Sequence, residues 1–198
     1  DHLLQMMDTV IHDKLLRNNS DKLNALIRYH FDSEASHARA RLALTAGLAL
    51  ELSENICITL AASCELIHNA SLLHDDIQDG DTLRRGKEAA WSHFDPSTAM
   101  CAGTLMLSAA FETVAQIDQN PQLLVSHLHQ RTADLIRGQT LDLAFSSKPV
   151  DLEGYLDIAS SKSGSLIALP LELVMMTSHQ LDALPIATQA GESFAIAY

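Results

Sequence analysis

Apolar residues recur at helical spacing along almost the whole chain, and no segment alternates apolar and polar residues as a half-buried strand does. Ser20 and Ser53 stand where a helix N-cap is expected, and Pro96 and Pro121 favour the first turn of a helix. The pattern predicts helices over 1–17, 20–29, 33–50, 53–79, 96–117, 121–145 and 151–177. Several exceed 20 residues, which predicts an all-α fold: one domain of long antiparallel helices around a deep apolar cavity.

The one long polar loop, 80–96, directly follows a cluster of carboxylates at the end of an apolar helix. Asp75 and Asp79 are spaced i,i+4, so they share a helix face about 6 Å apart along the axis, with Asp76 on the flank. Their like charges repel, and the C-terminal end of the helix dipole also disfavours them. A divalent cation such as Mg2+ relieves both penalties and leaves coordination sites for phosphate oxygens.

Two arginines in this loop supply the complementary charge. Guanidinium forks such as those of Arg84 and Arg85 match phosphate geometry better than a lysine point charge does. The carboxylates and arginines together predict a site for a diphosphate bridged by magnesium. The alternative from these residues alone is a solvated acidic helix end followed by a charged loop.

The segment 65–87, ELIHNASLLHDDIQDGDTLRRGK, resembles the first aspartate-rich motif of the all-trans isoprenyl diphosphate synthases, the farnesyl and geranylgeranyl diphosphate synthase family. Other motifs match in the family's order: Arg39-Ala40-Arg41, His68 seven residues before Asp75, Gly138-Gln139-Thr140-Leu141-Asp142, and Lys162-Ser163-Gly164. The set covers nearly the whole chain. It implies an isoprenoid synthase-type bundle, and a transferase that condenses isopentenyl diphosphate with an allylic diphosphate.

The resemblance also implies roles for individual residues. The expected metal ligands are Asp75, Asp76, Asp79 and Asp142, and the expected catalytic residues are Asp75, Asp79 and Lys162. The expected substrate-binding residues are Arg39, Arg41, His68, Arg84, Arg85, Gln139, Lys162 and Ser163. Each of the later motifs also has a plainer interpretation: a polar stripe turned to solvent at Gln139 and Asp142, a surface lysine at Lys162, and a core histidine at His68.

Product length depends, in the resembling family, on side chains four and five residues before the first aspartate of the motif. Ala70 and Ser71 occupy those positions, where bulky aromatic residues block the growing tail of short products. Small side chains there imply a geranylgeranyl or longer product. A plug from another helix would override this expectation.

Three departures from the family pattern bear on activity. Ala38 stands where the family has a lysine that holds isopentenyl diphosphate, and Thr104 stands where it often has an aspartate. Loss of one charge-assisted contact of about 1.5–3 kcal/mol weakens binding of the second substrate unless His37 replaces it. Residues 191–198 resemble the lead-in to a second aspartate-rich motif, which the sequence does not contain, so truncation of the C-terminal third is expected.

Composition narrows the protein class further. A formal net charge of −12 excludes a general nucleic-acid binder, and 47% hydrophobic residues suffice for a real core. Cys57, Cys64 and Cys101 lie in apolar segments without metal-ligand spacing, which indicates reduced thiols and a cytoplasmic protein. No apolar run of about 20 residues lacks polar groups, so no transmembrane segment is expected. A homodimer is expected from the resemblance alone.

Three other functions stay open. A class I terpene cyclase shares the first aspartate motif but does not need a second diphosphate site, and Ala38 favours it. A non-catalytic regulatory subunit of a heteromeric prenyl diphosphate synthase fits Ala38, Thr104 and the absent second motif. An ordinary helical interaction bundle predicts none of these motifs together.

Overall fold

Long helices make up nearly all of the computed structural model, which describes residues 2–17, 19–32, 36–145 and 149–197. They are α1 (His2–Leu15), α2 (Asp21–Phe31), α3 (Ala38–Ala49), α4 (Glu54–Asp79), α5 (Ala90–His93), α6 (Pro96–Val114), α7 (Pro121–Phe145), α8 (Leu152–Ala159), α9 (Ser165–Thr177) and α10 (Leu184–Ala197). A π-helical segment, Ser160–Gly164, joins α8 to α9, and a 3-10 turn, Leu181–Ala183, precedes α10. The all-α prediction is confirmed.

The helix starts follow the capping residues. The hydroxyl of Ser20 accepts from the amide of Leu23, and that of Ser53 accepts from the amide of Ile56. Most predicted helix ends agree with the structure to within three residues, but two predicted spans differ by more, and α5 and α10 were not predicted. The predicted helix 33–50 begins at Ala38, with 33–35 outside the described residues, and the predicted helix 151–177 is divided by the π segment.

The polar loop after α4 contains a hairpin that the sequence analysis did not predict. Strands β1 (Leu83–Arg84) and β2 (Lys87–Glu88) pair antiparallel, with Leu83 opposite Glu88 and Arg84 opposite Lys87. Arg85 and Gly86 form the turn with φ of 53° and 76°. Positive φ at both positions is the geometry of a type I′ turn. Strands of two residues are too short to show alternation, so the pattern could not reveal them.

The core is built around α4, which packs against α1, α3, α6 and α9. The helix is buried on most of its circumference, with Leu60, Leu66 and Ile67 fully inaccessible. By length and composition α4 could cross a membrane, but 78% of its most apolar window is buried inside the protein. Its apolar character therefore serves packing against the neighbouring helices.

Glycines allow the closest helix contacts near the end of α7. A Cβ on Gly138 would lie 2.8 Å from the Cα of Lys162, so only glycine lets α7 touch the π segment at this point. On the other side, a Cβ on Gly191 would lie 2.7 Å from the Cα of Ala168, which brings α10 onto α9. The first contact places the π segment against α7, and the second places α10 against α9.

Candidate active site

Two carboxylates and a lysine from three separate elements meet near the C-terminal ends of α4 and α7. Lys162 Nζ lies 2.7 Å from Asp142 Oδ2 and 3.9 Å from Asp75 Oδ2. Asp75 comes from α4, Asp142 from α7 and Lys162 from the π segment. The structure thus brings together three residues that the sequence motifs singled out, although they are up to 87 positions apart along the chain.

The electrostatics of this cluster favour a further cation. Burial raises the pKa of Asp75 to about 6, and the nearby carboxylates of Asp79 and Asp76 add to the effect, while Lys162 opposes it. Burial alone would lower the pKa of Lys162, but the hydrogen bond to Asp142 and the charge of Asp75 leave that pKa raised. Lys162 is therefore protonated at neutral pH, and one lysine does not fully neutralise the acidic group around it.

The π segment sets the position of Lys162. Five residues, Ser160–Gly164, form a wider helical turn, in which the amide of Ser165 donates to the carbonyl of Ser160. Isolated π turns within α-helices are common at functional sites because they leave backbone groups less tightly paired. Ser163 lies half-buried in the same segment, next to Lys162.

Asp76 and Arg84 pair with each other. The Nε of Arg84 donates to Asp76 Oδ1 at 2.8 Å, and a second guanidinium nitrogen contacts the same oxygen. Asp76 is 1% exposed. Burial raises its pKa, while the hydrogen bond and charge of Arg84 act against that rise. The predicted metal ligand Asp76 and the predicted diphosphate ligand Arg84 therefore satisfy one another in this conformation.

Gln139 is buried one helical turn before Asp142. It is 7% exposed, and neither its Oε1 nor its Nε2 has a hydrogen-bond partner among the described residues. A buried amide without partners is costly, by about 1–3 kcal/mol for each unsatisfied group. The amide therefore offers a donor and an acceptor to a ligand beside the Asp142–Lys162 pair.

A set of basic residues, Arg39, Arg85 and His68, lies around the middle of α4 and is called the basic group below. Burial, followed by the charges of Arg39, Arg85 and His30, lowers the pKa of His68 to about 2. Burial also lowers the pKa of Arg39, with Glu65 opposing it, and the Nε of Arg39 has no hydrogen-bond partner in the described part of the chain. His68 is thus a neutral imidazole among arginines, two helical turns from Asp75.

Arg39 and Arg41 do not share this environment. They are two positions apart on α3, which places them on different sides of the helix. Arg41 is exposed, and its Nε donates to the carbonyl of Ser36 at 3.2 Å. Of the two arginines in the motif, only Arg39 acts on the charge state of His68.

The two residues predicted to set product length differ in environment. Ala70 is fully buried in the core, whereas Ser71 is half-buried and its hydroxyl donates to the carbonyl of His68 at 2.8 Å. Ser71 therefore has room for change that Ala70 lacks. Their role in chain length stays a prediction.

Sequence reasoning gave no role to Glu65 and only a conditional one to His37. Glu65 is 3% exposed, accepts from the amide of Ala40 at 3.1 Å, and lies 3.5 Å from Nδ1 of His37. The sequence does contain a signal: one carboxylate stands within an otherwise apolar stretch of α4, where a partner is required.

His74 adjoins Asp75 in the sequence. Its Nε2 is buried without a partner among the described residues, and a Cβ on Gly103 would lie 2.7 Å from the imidazole Cδ2. The ring therefore packs directly on α6, where glycine leaves space for it.

The carboxylates fit magnesium chemistry. Asp75 and Asp79 provide the oxygen donors that Mg2+ prefers, and a cation beside Asp75 would oppose the rise in its pKa that burial and the neighbouring carboxylates cause. In the described residues no three His, Cys, Asp or Glu side chains form a complete metal cage. Mg2+ usually takes only one or two protein carboxylates and fills its other positions with water and phosphate oxygens.

Known structures share this arrangement of helices. The geranylgeranyl pyrophosphate synthetase of Pyrococcus horikoshii is similar with a TM-score of 0.91 and 27% sequence identity, over 99% of this chain and 62% of that protein. The fold is that of the isoprenoid synthases.

Two relatives show the likeness in sequence. The short chain isoprenyl diphosphate synthase of Methanocaldococcus jannaschii is 37% identical over 109 residues, which cover 54% of this chain and 33% of that protein. The (2E,6E)-farnesyl diphosphate synthase of Mycobacterium tuberculosis is 36% identical over 138 residues, 68% of this chain and 38% of that protein. The chain spans well under two thirds of the length of these relatives.

Residues 20–198 match the family described as polyprenyl synthetase. That match covers far more than half of the chain, so the protein belongs to the polyprenyl synthetase family, as its ordered motifs predicted.

Proposed function

We propose that this chain carries the allylic-substrate face of a trans-prenyltransferase, which joins isopentenyl diphosphate to an allylic diphosphate. Family membership supports the reaction class. The observation that carries the assignment is the meeting of Asp75, Asp142 and Lys162 beside the unpaired amide of Gln139. A structural helical bundle has no use for a half-buried, partly neutralised cluster of this kind.

The first diphosphate binds, in this proposal, against Asp75, Asp79 and Lys162. Lys162 is protonated and donates to a diphosphate oxygen, and Gln139 provides a neutral hydrogen bond beside it. Mg2+ held by Asp75 and Asp79 would supply the remaining neutralisation of the leaving group. The allylic C–O bond then breaks, because charge that builds on the departing diphosphate meets fixed positive groups in a partly dry site.

The second substrate provides the new carbon–carbon bond. The double bond of isopentenyl diphosphate attacks the allylic cation, and a proton then leaves for the released diphosphate, so no protein base is needed. Arg39, Arg85 and His68 form the basic group suited to the second diphosphate. In this proposal Arg41 and Arg84 also bind diphosphate oxygens, once Arg41 has released the carbonyl of Ser36 and Arg84 has released Asp76.

Finer features of this function rest on the motifs and the relatives. We assign Mg2+ as the cofactor, a geranylgeranyl or longer product from Ala70 and Ser71, a cytoplasmic location and a homodimer. By the same resemblance, full turnover requires a second metal-binding face opposite Asp75.

Elongation assays on the full-length protein test the proposal. The protein is incubated with Mg2+, labelled isopentenyl diphosphate and each allylic primer, with D75A in parallel and D118N as the exposed carboxylate control. We expect products of twenty carbons or more from the wild type and D118N, and at least a hundredfold loss in D75A.

Two other outcomes identify the alternatives. Release of diphosphate from the allylic primer without elongation would point to a terpene cyclase. No turnover of any primer would overturn the enzyme assignment and favour the regulatory subunit.

A further inference from the structure

A polar group on the far side of the π segment holds the residue that precedes Lys162. One guanidinium nitrogen of Arg137 donates to both carboxylate oxygens of Asp157, at 3.1 and 2.9 Å. The other donates to Oδ1 of Asp157 at 3.1 Å and to the hydroxyl of Ser161. That hydroxyl donates in turn to Asp157 at 3.3 Å. Arg137 on α7, Asp157 on α8 and Ser161 in the π segment together form what we call the Ser161 clamp.

The Ser161 clamp fixes an orientation more than it adds stability. The side chains of Arg137 and Asp157 are 52% and 48% exposed, and an ion pair so open to solvent contributes little to the free energy of unfolding. A guanidinium fork on both oxygens of a carboxylate nevertheless defines the direction of each group. Ser161 is only 4% exposed, so the fork connects a surface ion pair to a buried point of the π segment.

Glycine contacts hold the π segment close to two helices. At Gly138, α7 lies against the backbone of the segment, and at Gly164 a Cβ would lie 3.2 Å from the Cα of Glu192 on α10. Glycine has no side chain with which to resist rotation of the segment about its own axis. The Ser161 clamp supplies that resistance, and the hydroxyl of Ser165 adds to it by donating to the carbonyl of Ser161 at 2.6 Å.

Rotation of the π segment would move the ammonium group of Lys162. Adjacent helical residues project in different directions, so Ser161 meets Arg137 while the side chain of Lys162 extends to Asp142 at 2.7 Å and toward Asp75 at 3.9 Å. The clamp on Ser161 therefore determines the direction in which the lysine leaves the helix. A displacement of about 1 Å caused by a change outside the reacting groups can cost about a hundredfold in rate.

We propose that Arg137 is a positioning residue: with Asp157 and Ser161 it sets the rotation of the π segment and so places the ammonium group of Lys162 for the leaving diphosphate. This inference rests on the proposed function, in which Lys162 binds the first diphosphate. Arg137 directly precedes Gly138, so consecutive residues of α7 contact the π segment in two ways. Gly138 sets how close the segment lies, and Arg137 sets how it is turned.

A double-mutant cycle with K162A tests the positioning role on the full-length protein. R137Q should lower kcat about five- to twentyfold and leave KM for isopentenyl diphosphate within about twofold, because the displaced lysine serves the leaving group. In a K162A background the same substitution should change kcat by less than about twofold, because the side chain through which Arg137 acts is gone. A merely structural role would lower kcat by the same factor in both backgrounds.

S161A separates position from charge. R137Q removes a positive charge, which by itself weakens the attraction of any anion, whereas S161A leaves every charge in place and removes only the hydroxyl that the fork holds. We expect S161A to lower kcat over the same range as R137Q. R17Q breaks an exposed ion pair with Asp13 near the end of α1 and should match the wild type. Thermal melts identify a variant that fails to fold, and the cycle of S161A with K162A then replaces that of R137Q.

Calorimetry with Mg2+ and inorganic diphosphate distinguishes this inference from the proposed function, because it needs no turnover. R137Q should weaken diphosphate binding about three- to tenfold when Lys162 is present and leave it unchanged in K162A. A protein that elongates no primer but shows this pattern refutes prenyl transfer alone. Equal losses in the two backgrounds, or wild-type kcat in S161A beside an impaired R137Q, would overturn the positioning role. A wild type that binds no diphosphate would overturn both proposals.

Discussion

Adjacent residues of the aspartate and arginine motifs have different partners. Asp75 faces Lys162, whereas Asp76, the next residue, is buried against Arg84. Arg85 instead lines a cavity of about 90 Å³ between the N-terminal helices and the hairpin turn. The helical rotation of about 100° per residue separates the two aspartates, and the positive φ of the hairpin turn separates the two arginines. The aspartate and arginine motifs, which look continuous in the sequence, therefore place adjacent residues in different environments.

Removal of the Lys162 charge should impair the chemical step. In K162A, Asp75 and Asp142 lose their shared cation, so we expect kcat to fall about a hundred- to a thousandfold with a smaller change in KM. Steady-state and single-turnover kinetics on the full-length protein measure the effect.

The matched control for this change is K22A. Lys22 is a mostly exposed lysine in a surface ion pair with Asp95, and its loss should leave kcat within about twofold. Equal kcat values in K162A and the wild type would show that Lys162 takes no part in turnover.

At the scale of elements, the contact between α7 and the π segment sets the geometry of the cluster. Gly138 touches the backbone at Lys162 and Ser161, where rigid main chain has no way to give. G138A should therefore push the two elements apart and move Lys162 relative to Asp142. We expect a loss of about 1–3 kcal/mol in the free energy of unfolding and at least a tenfold loss of activity. Chemical denaturation and the elongation assay measure the two effects.

A substitution at a second helical glycine serves as the control, because it changes helix propensity without disturbing the contact with the π segment. Gly154 on α8 would place its Cβ 2.8 Å from a methyl group of Val150, which is the end of a side chain and can move. G154A should be neutral, or stabilising by up to about 1 kcal/mol. If G138A matched G154A in both stability and activity, close contact with the π segment would not be what positions Lys162.

Glu172 ties α9 to α7 and α10. Its side chain is fully buried, His127 Nε2 lies 2.8 Å away, Arg131 contacts both carboxylate oxygens, and the hydroxyl of Thr188 completes the group. Burial opposes ionisation, but these partners outweigh it and lower the pKa of Glu172 from 4.5 to about 2. A shift of this size corresponds to about 3 kcal/mol of stability.

The pH dependence of stability tests this network. Because the folded pKa lies below the unfolded one, the contribution is complete above about pH 5 and is lost as pH falls toward about 2. E172Q should lower the free energy of unfolding by about 3 kcal/mol at neutral pH, and by progressively less in acid. Denaturant titrations at several pH values measure it.

The comparison variant is D134N. Asp134 also contacts Arg131, but its side chain is 28% exposed, so its removal should cost less than about 1 kcal/mol. A constant difference between E172Q and the wild type from neutral pH to about pH 2 would contradict the assigned pKa.

The sequence predicted the helices well because they are long and their caps are local. Ser20 and Ser53 act within three residues of themselves, so their effect is visible in the chain. The hairpin, α5 and the π turn escaped prediction because each is a few residues long, whereas α10 was not predicted although it has 14 residues. The pairing of Asp76 with Arg84 escaped as well, because it depends on how the hairpin folds back on α4.

Part of the candidate site could be predicted from the ordered sequence motifs rather than from helix periodicity. The ordered motifs single out Asp75, Asp142 and Lys162, whereas spacing alone places only Asp75 and Asp79 on one face. The approach of Asp8 and His12 on α1 to His37 was not predictable, because these two residues follow no motif and meet His37 only through tertiary packing.

At the scale of the whole molecule, we expect product length to depend on how far the apolar interior extends below the proposed diphosphate site. Ala70 is fully buried, so a larger side chain there should overpack the core and destabilise the protein by about 1–3 kcal/mol. Ser71 is half-buried, and within the described part of the chain its hydroxyl bonds only to its own helix, at the carbonyl of His68. An aromatic ring at Ser71 is therefore the cleaner way to shorten the cavity.

S71F should shift the products of the full-length protein toward fifteen carbons or fewer, while the rate of the first condensation stays within about threefold. The reason is steric, because a ring four residues before Asp75 lies about one helical turn from it along α4. Chromatography of labelled products measures the distribution, and S126F adds the same ring at an exposed position of α7 as a control. An unchanged distribution in a folded, active S71F would show that another helix sets the limit on chain growth.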